Sequence, residues 1–289
     1  MKRKWNILVG AGALTVFLLS RAVSAEAQAG QQGQPPSQQQ PPADKDKQPN
    51  PAPLSMDNAP AASPEEDSAS KAVQQAAEPT KRIQLAEEFL QKYPQSRYRG
   101  AMYQALVSGY FATQQVPKML DAGEKEVALN PNDAPVLAVM GQALARTYNA
   151  KAPDAAKQLD KAEQYSKRAI EITPTLTKPE NLTDEAFSNA KNDTLVMAHS
   201  GLGLVYIRRQ KFSEAIPELE QSVKADSHPD PDPVNYYLLG VADKQTSHFE
   251  AAAAAFSKCA TVQSTLQATC KSGAEDAKKQ GSTQLSAPN

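Results

Sequence analysis

The sequence predicts an all-α fold: a right-handed α-solenoid of about four helical hairpins, closed by a C-terminal capping helix. Ala, Leu, Gln, Lys and Glu dominate the chain, and runs of Val or Ile alternating with polar residues are absent. Two stretches also share one pattern of landmarks. Gly203 and Gly240 are followed nine residues later by Phe212 and Phe249, and an alanine comes three residues after each Phe. Such a repeat indicates stacked copies of one helical unit.

The residue sizes at these landmarks predict close contact between two antiparallel helices in each unit. Gly203 and Gly240 leave room for the neighbouring backbone, and large side chains such as Leu219 and Phe256 fill the space beside them. Because residues three and four apart share one helix face, each helix carries an apolar stripe that one hairpin cannot bury alone. We therefore expect the units to stack on one another in chain order.

The spacing of the landmarks resembles the tetratricopeptide repeat, a helix–turn–helix unit with a period of about 34 residues. Gly141 follows Val107 by 34 residues, which is the same register. The sequence YPQSRY, which precedes a predicted helix within residues 86–112, is similar to motifs in tetratricopeptide proteins of the bacterial envelope. The resemblance implies a concave surface that is lined by the first helix of each unit and binds other proteins.

The repeat domain is predicted to span residues 67–280, with elements that follow from apolar periodicity and from residues that end helices. Two helices over residues 70–77 and 80–93 come first, separated by Pro79. Four hairpins follow, over residues 100–131, 134–174, 196–226 and 233–260. A last helix over residues 265–279 is predicted to cap the open end of the stack.

Two insertions interrupt the regular spacing of the predicted hairpins. Residues 175–193 separate the second hairpin from the third and carry a short predicted helix over residues 184–190, with Thr183 at its N-cap. The stretch SHPDPDP separates the third hairpin from the fourth. We interpret it as a stiff turn rather than a metal site, because its alternating prolines keep His228 and the aspartates apart.

Residues 1–25 have the pattern of a secretory signal peptide. Three basic residues at positions 2–4 precede an apolar run over residues 7–19, and small residues at 23–25 suit cleavage. The alternative is an uncleaved membrane anchor, although the run is shorter than the roughly 20 apolar residues that a membrane span needs. We expect an exported protein, periplasmic or secreted, with no stable membrane span after cleavage.

Residues 26–66 are rich in Pro, Gln, Ser and Asp and almost lack large apolar residues, which predicts a disordered linker. A solvated linker is the preferred interpretation, and a tether or a proline-rich ligand is the alternative. Residues 281–289 are predicted to form a flexible tail.

The composition argues against nucleic-acid binding and the motifs argue against catalysis. The chain has 31 basic and 32 acidic residues, so it lacks the basic excess of a nucleic-acid binder. The stretch from Ser200 to Gly203 is neither a nucleophile elbow nor a phosphate-binding loop. We therefore predict a protein that is not an enzyme and uses no cofactor.

The candidate site is the concave surface on the first helices. By register with the glycines, the positions predicted to be exposed there are Gln104, Ser108, Phe111, Gln142, Arg146, Ser200, Leu204, Arg208, Tyr237, Val241 and Lys244. Apolar positions beside three cations predict an extended or helical peptide partner of acidic character. The alternative is that neighbouring elements, or residues 175–193, fill the groove. The Asn and Lys residues with which the family grips chaperone C-termini are missing from these positions.

Cys259 and Cys270 are the only cysteines, and they flank the predicted turn near Ser264 at similar heights in an antiparallel hairpin. An even number of cysteines behind a secretory signal predicts a disulfide between them; two free thiols are the alternative.

The function predicted from these features is protein–protein interaction through the concave groove of an exported repeat protein. The alternative is a structural or assembly platform in a cell-envelope complex, with the linker as a spacer.

Overall fold

The computed structural model describes residues 61–285. Within that range the chain is all-α, without strands, and consists of eleven successive α-helices. Their bounds are α1 Pro64–Gln75, α2 Pro79–Lys92, α3 Arg99–Ala112, α4 Val116–Leu129, α5 Ala134–Arg146, α6 Ala155–Ile172, α7 Asp184–Arg208, α8 Phe212–Ala225, α9 Pro233–Gln245, α10 Phe249–Thr261 and α11 Gln267–Leu285. The predicted fold class is confirmed.

Consecutive helices pack against one another as hairpins in chain order. The predicted hairpins correspond to α3 with α4, α5 with α6, α7 with α8, and α9 with α10, and α11 packs on α10. The helices α1 and α2 form a further hairpin at the N-terminal end. The stack is therefore an α-solenoid, and its first helices α3, α5, α7 and α9 are the ones predicted to line the groove.

The helix boundaries follow from capping residues and prolines. Ser63 accepts a hydrogen bond from the Glu66 amide at 3.2 Å and begins α1. Thr183 caps α7 in the same way, through the Ala186 amide at 3.1 Å. Prolines occupy the first turns of α1, α2, α4, α5 and α9, where a missing N–H leaves no hydrogen bond unmade.

The bounds of three predicted segments differ from the structure. The helix predicted over residues 184–190 continues without a break to Arg208, because residues 191–200 contain neither Gly nor Pro to end it. The first helix begins at Pro64 and the last runs through Gly281 to Leu285, so helix extends beyond both ends of the predicted repeat domain. The predicted signal peptide and residues 26–60 of the predicted linker lie outside the described residues.

Glycines bring the two helices of a hairpin close together at the positions predicted from the sequence. A Cβ atom at Gly203 would lie 2.6 Å from Leu219 Cγ, and one at Gly240 would lie 2.8 Å from Phe256 Cδ1. In both cases the glycine and the large residue belong to the two helices of one hairpin, and the distance to the added Cβ atom would be shorter than carbon atoms can pack.

Among the helices of residues 61–285, none combines the length and the apolar character that a membrane span requires.

Candidate functional site

Four of the predicted groove residues are buried. Gln104, Gln142, Ser200 and Leu204 each expose less than a tenth of their surface, so the prediction that they face the solvent is wrong. Gln104 on α3 is buried against Glu126 and Asp133. For the residues on α5 and α7, the cause is the close approach of neighbouring first helices. A Cβ atom at Gly201 would lie 2.9 Å from the backbone nitrogen of Gln142, so α5 and α7 nearly touch there.

The buried polar members of this set join neighbouring units. The Ser200 hydroxyl donates a hydrogen bond to Asn235 Oδ1 at 2.6 Å, which links α7 to α9. The Gln104 amide donates to Asp133 Oδ2, which links α3 to the residue that caps α5. These contacts hold the stack together and leave the two side chains unavailable to a ligand.

Five predicted groove residues are half-buried and lie partly on the surface. The Tyr237 ring packs on the Phe256 ring at 5.9 Å between centroids, and the Lys244 ammonium pairs with the Asp276 carboxylate of α11. Phe111 and Val241 pack against the core with part of their surface exposed, and the Ser108 hydroxyl donates to the Ala105 carbonyl.

The two remaining residues, Arg146 and Arg208, are exposed at the ends of α5 and α7. Arg146 Nη2 lies 3.1 Å from Asp232 Oδ2, and the Arg208 guanidinium lies 5.9 Å from the centre of the Tyr148 ring. We call Arg146, Tyr148, Arg208 and Asp232 the arginine edge. Arg208 forms no ion pair with the described residues, so its charge is free to meet a partner.

A second surface feature was not predicted from the sequence. A cleft of about 480 Å³ opens between α2 and α4 above α3, and we call it the tyrosine cleft. Its lining residues are Glu87, Leu90, Gln91, Tyr103, Leu106, Tyr110, Lys118, Asp121, Ala122 and Lys125. The apolar stripes predicted from the sequence describe single helices, so they do not predict a gap between two helices that are not consecutive.

The tyrosine cleft has an apolar floor and a charged rim. The Tyr110 hydroxyl donates to the Glu87 carboxylate, and burial together with this carboxylate raises the pKa of Tyr110. Lys118 Nζ lies 5.4 Å from the centre of the Tyr110 ring. Lys125 Nζ lies 6.0 Å from the centre of the Tyr103 ring and 2.6 Å from an Asp121 oxygen. Tyr110 is buried, with 4% of its surface exposed, and Tyr103 is half-buried. The cleft therefore offers part of one aromatic ring beside charges of both signs.

A buried carboxyl pair connects α3, α4 and α5. Glu126 and Asp133 expose 1% and 3% of their surface, and Gln104 Nε2 lies within 3.5 Å of Glu126 Oε1. Burial, together with the charge of Asp133, raises the pKa of Glu126 to about 9, and burial raises that of Asp133 as well. At neutral pH the pair thus retains a proton, which removes the repulsion between two buried carboxylates.

Two of the three histidines support the packing of α7. His199 Nδ1 lies 2.7 Å from Glu218 Oε2 on α8, and His228 Nε2 lies 2.8 Å from Asp193 Oδ1. His228 thereby ties the turn between the third and fourth hairpins to α7. Across residues 61–285 no group of three or more His, Cys, Asp or Glu side chains could hold a metal ion.

Cys259 near the end of α10 and Cys270 in α11 are joined by a disulfide, with their Cα atoms 5.8 Å apart. Both residues are fully buried. The bridge lies next to the contact of Gly273 with the Phe256 ring, so a covalent bond and a packing contact together hold α11 on the last hairpin.

Comparison with known proteins finds similarity among solved structures. No protein-family model matches the chain, and neither does any curated protein. Among solved structures, a thermophilic TPR protein from Thermus thermophilus is similar at 19% sequence identity. The match covers 74% of this chain and 99% of that chain, with a TM-score of 0.44. The chain is an all-α helical-repeat protein, as its own helices and contacts show.

Proposed function

We propose that this chain is an exported helical-repeat protein that mediates protein–protein interaction by binding an acidic peptide along the arginine edge. The observation that carries the proposal is the exposed Arg208 guanidinium, which packs over the Tyr148 ring and pairs with no carboxylate among the described residues. Arginine and tyrosine, together with tryptophan, are enriched among the residues that contribute most of the binding energy at protein interfaces.

The chemistry of the arginine edge suits a carboxylate ligand. A guanidinium binds a carboxylate through two parallel hydrogen bonds, and a ring below it fixes its orientation. Arg146 already holds the Asp232 carboxylate, with 42% and 37% of the two side chains exposed. An ion pair this exposed contributes only about 0–1 kcal/mol, so a peptide carboxylate can replace Asp232 at little cost.

Export is supported by residues 1–25, with their basic start, apolar run and small residues. The bridged Cys259 and Cys270 suit an oxidising compartment, because structural disulfides are rare in the cytosol. The envelope resemblance of residues 86–112 suits the same location.

Selection from a display library of random 12-residue peptides tests the proposed function. The full chain should enrich peptides with Asp or Glu, and Arg208→Glu should weaken the selected peptides by about ten-fold, or about 1.4 kcal/mol. The matched control is Arg97→Glu, which reverses an exposed arginine in the loop before α3. Selected peptides without acidic residues, or equal weakening by both variants, would overturn the proposal. An assembly platform without a peptide site would give no enrichment at all.

A further inference from the structure

The arginine edge contains an ion pair that the packing of the stack does not require. Arg146 Nη2, at the end of α5, lies 3.1 Å from Asp232 Oδ2 in the turn before α9. Arg146 belongs to the second hairpin and Asp232 caps the fourth, so the contact skips the third hairpin. Units of a solenoid are stabilised by contacts with their direct neighbours, and this pair is not one of those contacts.

Both members of the pair adjoin the line along which the first helices meet. Gln142 and Asn235 are buried on that line, with 6% and 1% of their surface exposed. Arg146 follows Gln142 by four residues, and Asp232 precedes Asn235 by three. Because residues at these spacings share one helix face, the ion pair lies at the edge of the surface that α5, α7 and α9 form together.

The turn before α9 fixes the Asp232 carboxylate without the help of Arg146. Asp232 Oδ1 accepts a hydrogen bond from the Val234 amide at 2.9 Å and thereby caps α9. The Asp232 amide donates to Asp226 Oδ2 at 3.1 Å, and a proline on either side of Asp232 restricts the backbone. Oδ2 is left to face Arg146, so the chain presents a carboxylate oxygen to this guanidinium as a ligand carboxylate would.

The two arginines of the edge differ in what a ligand has to overcome. Arg208 is exposed over the Tyr148 ring and forms no ion pair with the described residues, so a first ligand carboxylate binds there without a competitor. Arg146 is already engaged, and a second ligand carboxylate binds only by drawing it away from Asp232. Because an ion pair this exposed is weak, the competition lowers the affinity of the second contact without abolishing it.

We propose that Asp232 is a built-in competitor for Arg146 and sets the affinity of the arginine edge for peptides with two acidic residues. This inference rests on the proposed function, because it needs an acidic ligand at the arginine edge. A peptide with one acidic residue binds through Arg208, whereas a peptide with two also has to displace the Asp232 carboxylate. Asp232 thereby neutralises Arg146 in the free protein and narrows the difference in affinity between the two kinds of peptide.

Asp232→Asn tests this proposal, with Asp230→Asn as the matched control. Asn caps helices as well as Asp does, so α9 keeps its cap. The amide nitrogen that replaces Oδ2 cannot accept a hydrogen bond from Arg146, so the arginine is released. Asp230 is exposed in the same turn, and its replacement removes the same charge without freeing Arg146.

Peptide selection is run in parallel on the wild type and on both variants. Each selected peptide with two acidic residues is compared with a version in which one of them is replaced by its amide. In Asp232→Asn, the ratio of the two affinities should rise about three-fold to five-fold over the wild type, because Arg146 no longer has a competitor. Asp230→Asn should keep the wild-type ratio, and adding Arg146→Gln to Asp232→Asn should abolish the gain.

The outcomes separate this inference from the proposed function. If selected peptides are weakened by Arg208→Glu but their affinity ratio is unchanged or lower in Asp232→Asn, the competitor is overturned and the proposed function stands. The same conclusion holds if both Asn variants raise the ratio equally, since the effect is then one of net charge, or if Asp232→Asn selects no peptides with two acidic residues. If none of the three proteins selects acidic peptides, the proposed function is overturned, and the competitor with it.

Discussion

At the scale of single residues, the least expected feature is a glutamate in the core. Glu126 lies where close packing calls for a small or apolar residue, yet it is buried with Asp133 and Gln104 around it. Its Oε2 atom has no hydrogen-bond partner among the described residues. Desolvation accounts for the raised pKa of Glu126, because a neutral carboxyl loses far less than a carboxylate on leaving water.

This carboxyl pair predicts a pH dependence of stability. The folded-state pKa of Glu126 is about 9, well above its value in an unfolded chain, so the folded state binds the proton more tightly. The stabilisation is fully present below about pH 4 and is lost as the pH rises towards 9. Glu126→Gln should flatten this dependence and raise the free energy of unfolding at pH 8.5 by at least about 1 kcal/mol. Urea unfolding at pH 5.5 and 8.5 measures both effects.

The control for this prediction is Glu275→Gln, which changes an exposed glutamate on α11. It should follow the wild-type pH dependence. A Glu126→Gln protein whose stability falls between pH 5.5 and 8.5 as steeply as the wild type would show that Glu126 does not hold the proton.

At the scale of helices and hairpins, glycine and a large residue form complementary pairs. Gly203 with Leu219 and Gly240 with Phe256 occupy equivalent places in successive hairpins. The backbone of one helix thereby rests on the side chain of the next, and Leu219 is fully buried. The hairpin, rather than the single helix, is the unit that the sequence pattern specifies.

A double-mutant cycle tests this pairing. Gly203→Ala places a Cβ atom 2.6 Å from Leu219 Cγ, so it should destabilise by about 1–3 kcal/mol in spite of the higher helix propensity of Ala. Leu219→Ala should cost about 2–5 kcal/mol alone. Because the shortened side chain makes room for the new methyl group, the double variant should lose at least about 1 kcal/mol less than the sum. Additive losses in denaturant unfolding would contradict the pairing.

At the scale of the whole molecule, the sequence predicts the hairpins, which depend on residues near one another in the chain. It does not predict the burial of side chains or the position of a cleft, which depend on helices that are distant in the chain. The third and fourth hairpins follow from spacings within about 40 residues, which is why their helices were predicted. Exposure of Gln142 and Ser200 depends on how closely α5, α7 and α9 approach, and this distance is set by contacts such as that at Gly201. The tyrosine cleft likewise lies between α2 and α4, which only α3 brings together.

An α-solenoid has two ends, and the stability of the C-terminal end depends on α11. In a solenoid each unit contacts only its neighbours, so an uncapped end frays before the middle does. The apolar contact of α11 with α10 consists mainly of alanines around Phe256, which bury little area for a 19-residue helix. Residues Cys259 and Cys270 close a loop with a sequence separation of 11, and such a bridge contributes about 3 kcal/mol by restricting the unfolded chain.

Removal of the bridge should therefore loosen one end of the molecule. In a Cys259→Ala, Cys270→Ala variant, hydrogen exchange should accelerate in α11 and to a smaller degree in α10, with a loss of local stability of about 2–3 kcal/mol. Exchange in α5 and α6 should stay as in the wild type, since these helices pack on each other and on α7 rather than on the cap. Reduction of the wild-type protein should reproduce the pattern, and without reductant neither thiol should be alkylated in protein from an oxidising compartment. Accelerated exchange spread evenly over α3 to α11 would instead mean that the stack unfolds as one cooperative unit and that the bridge stabilises all of it.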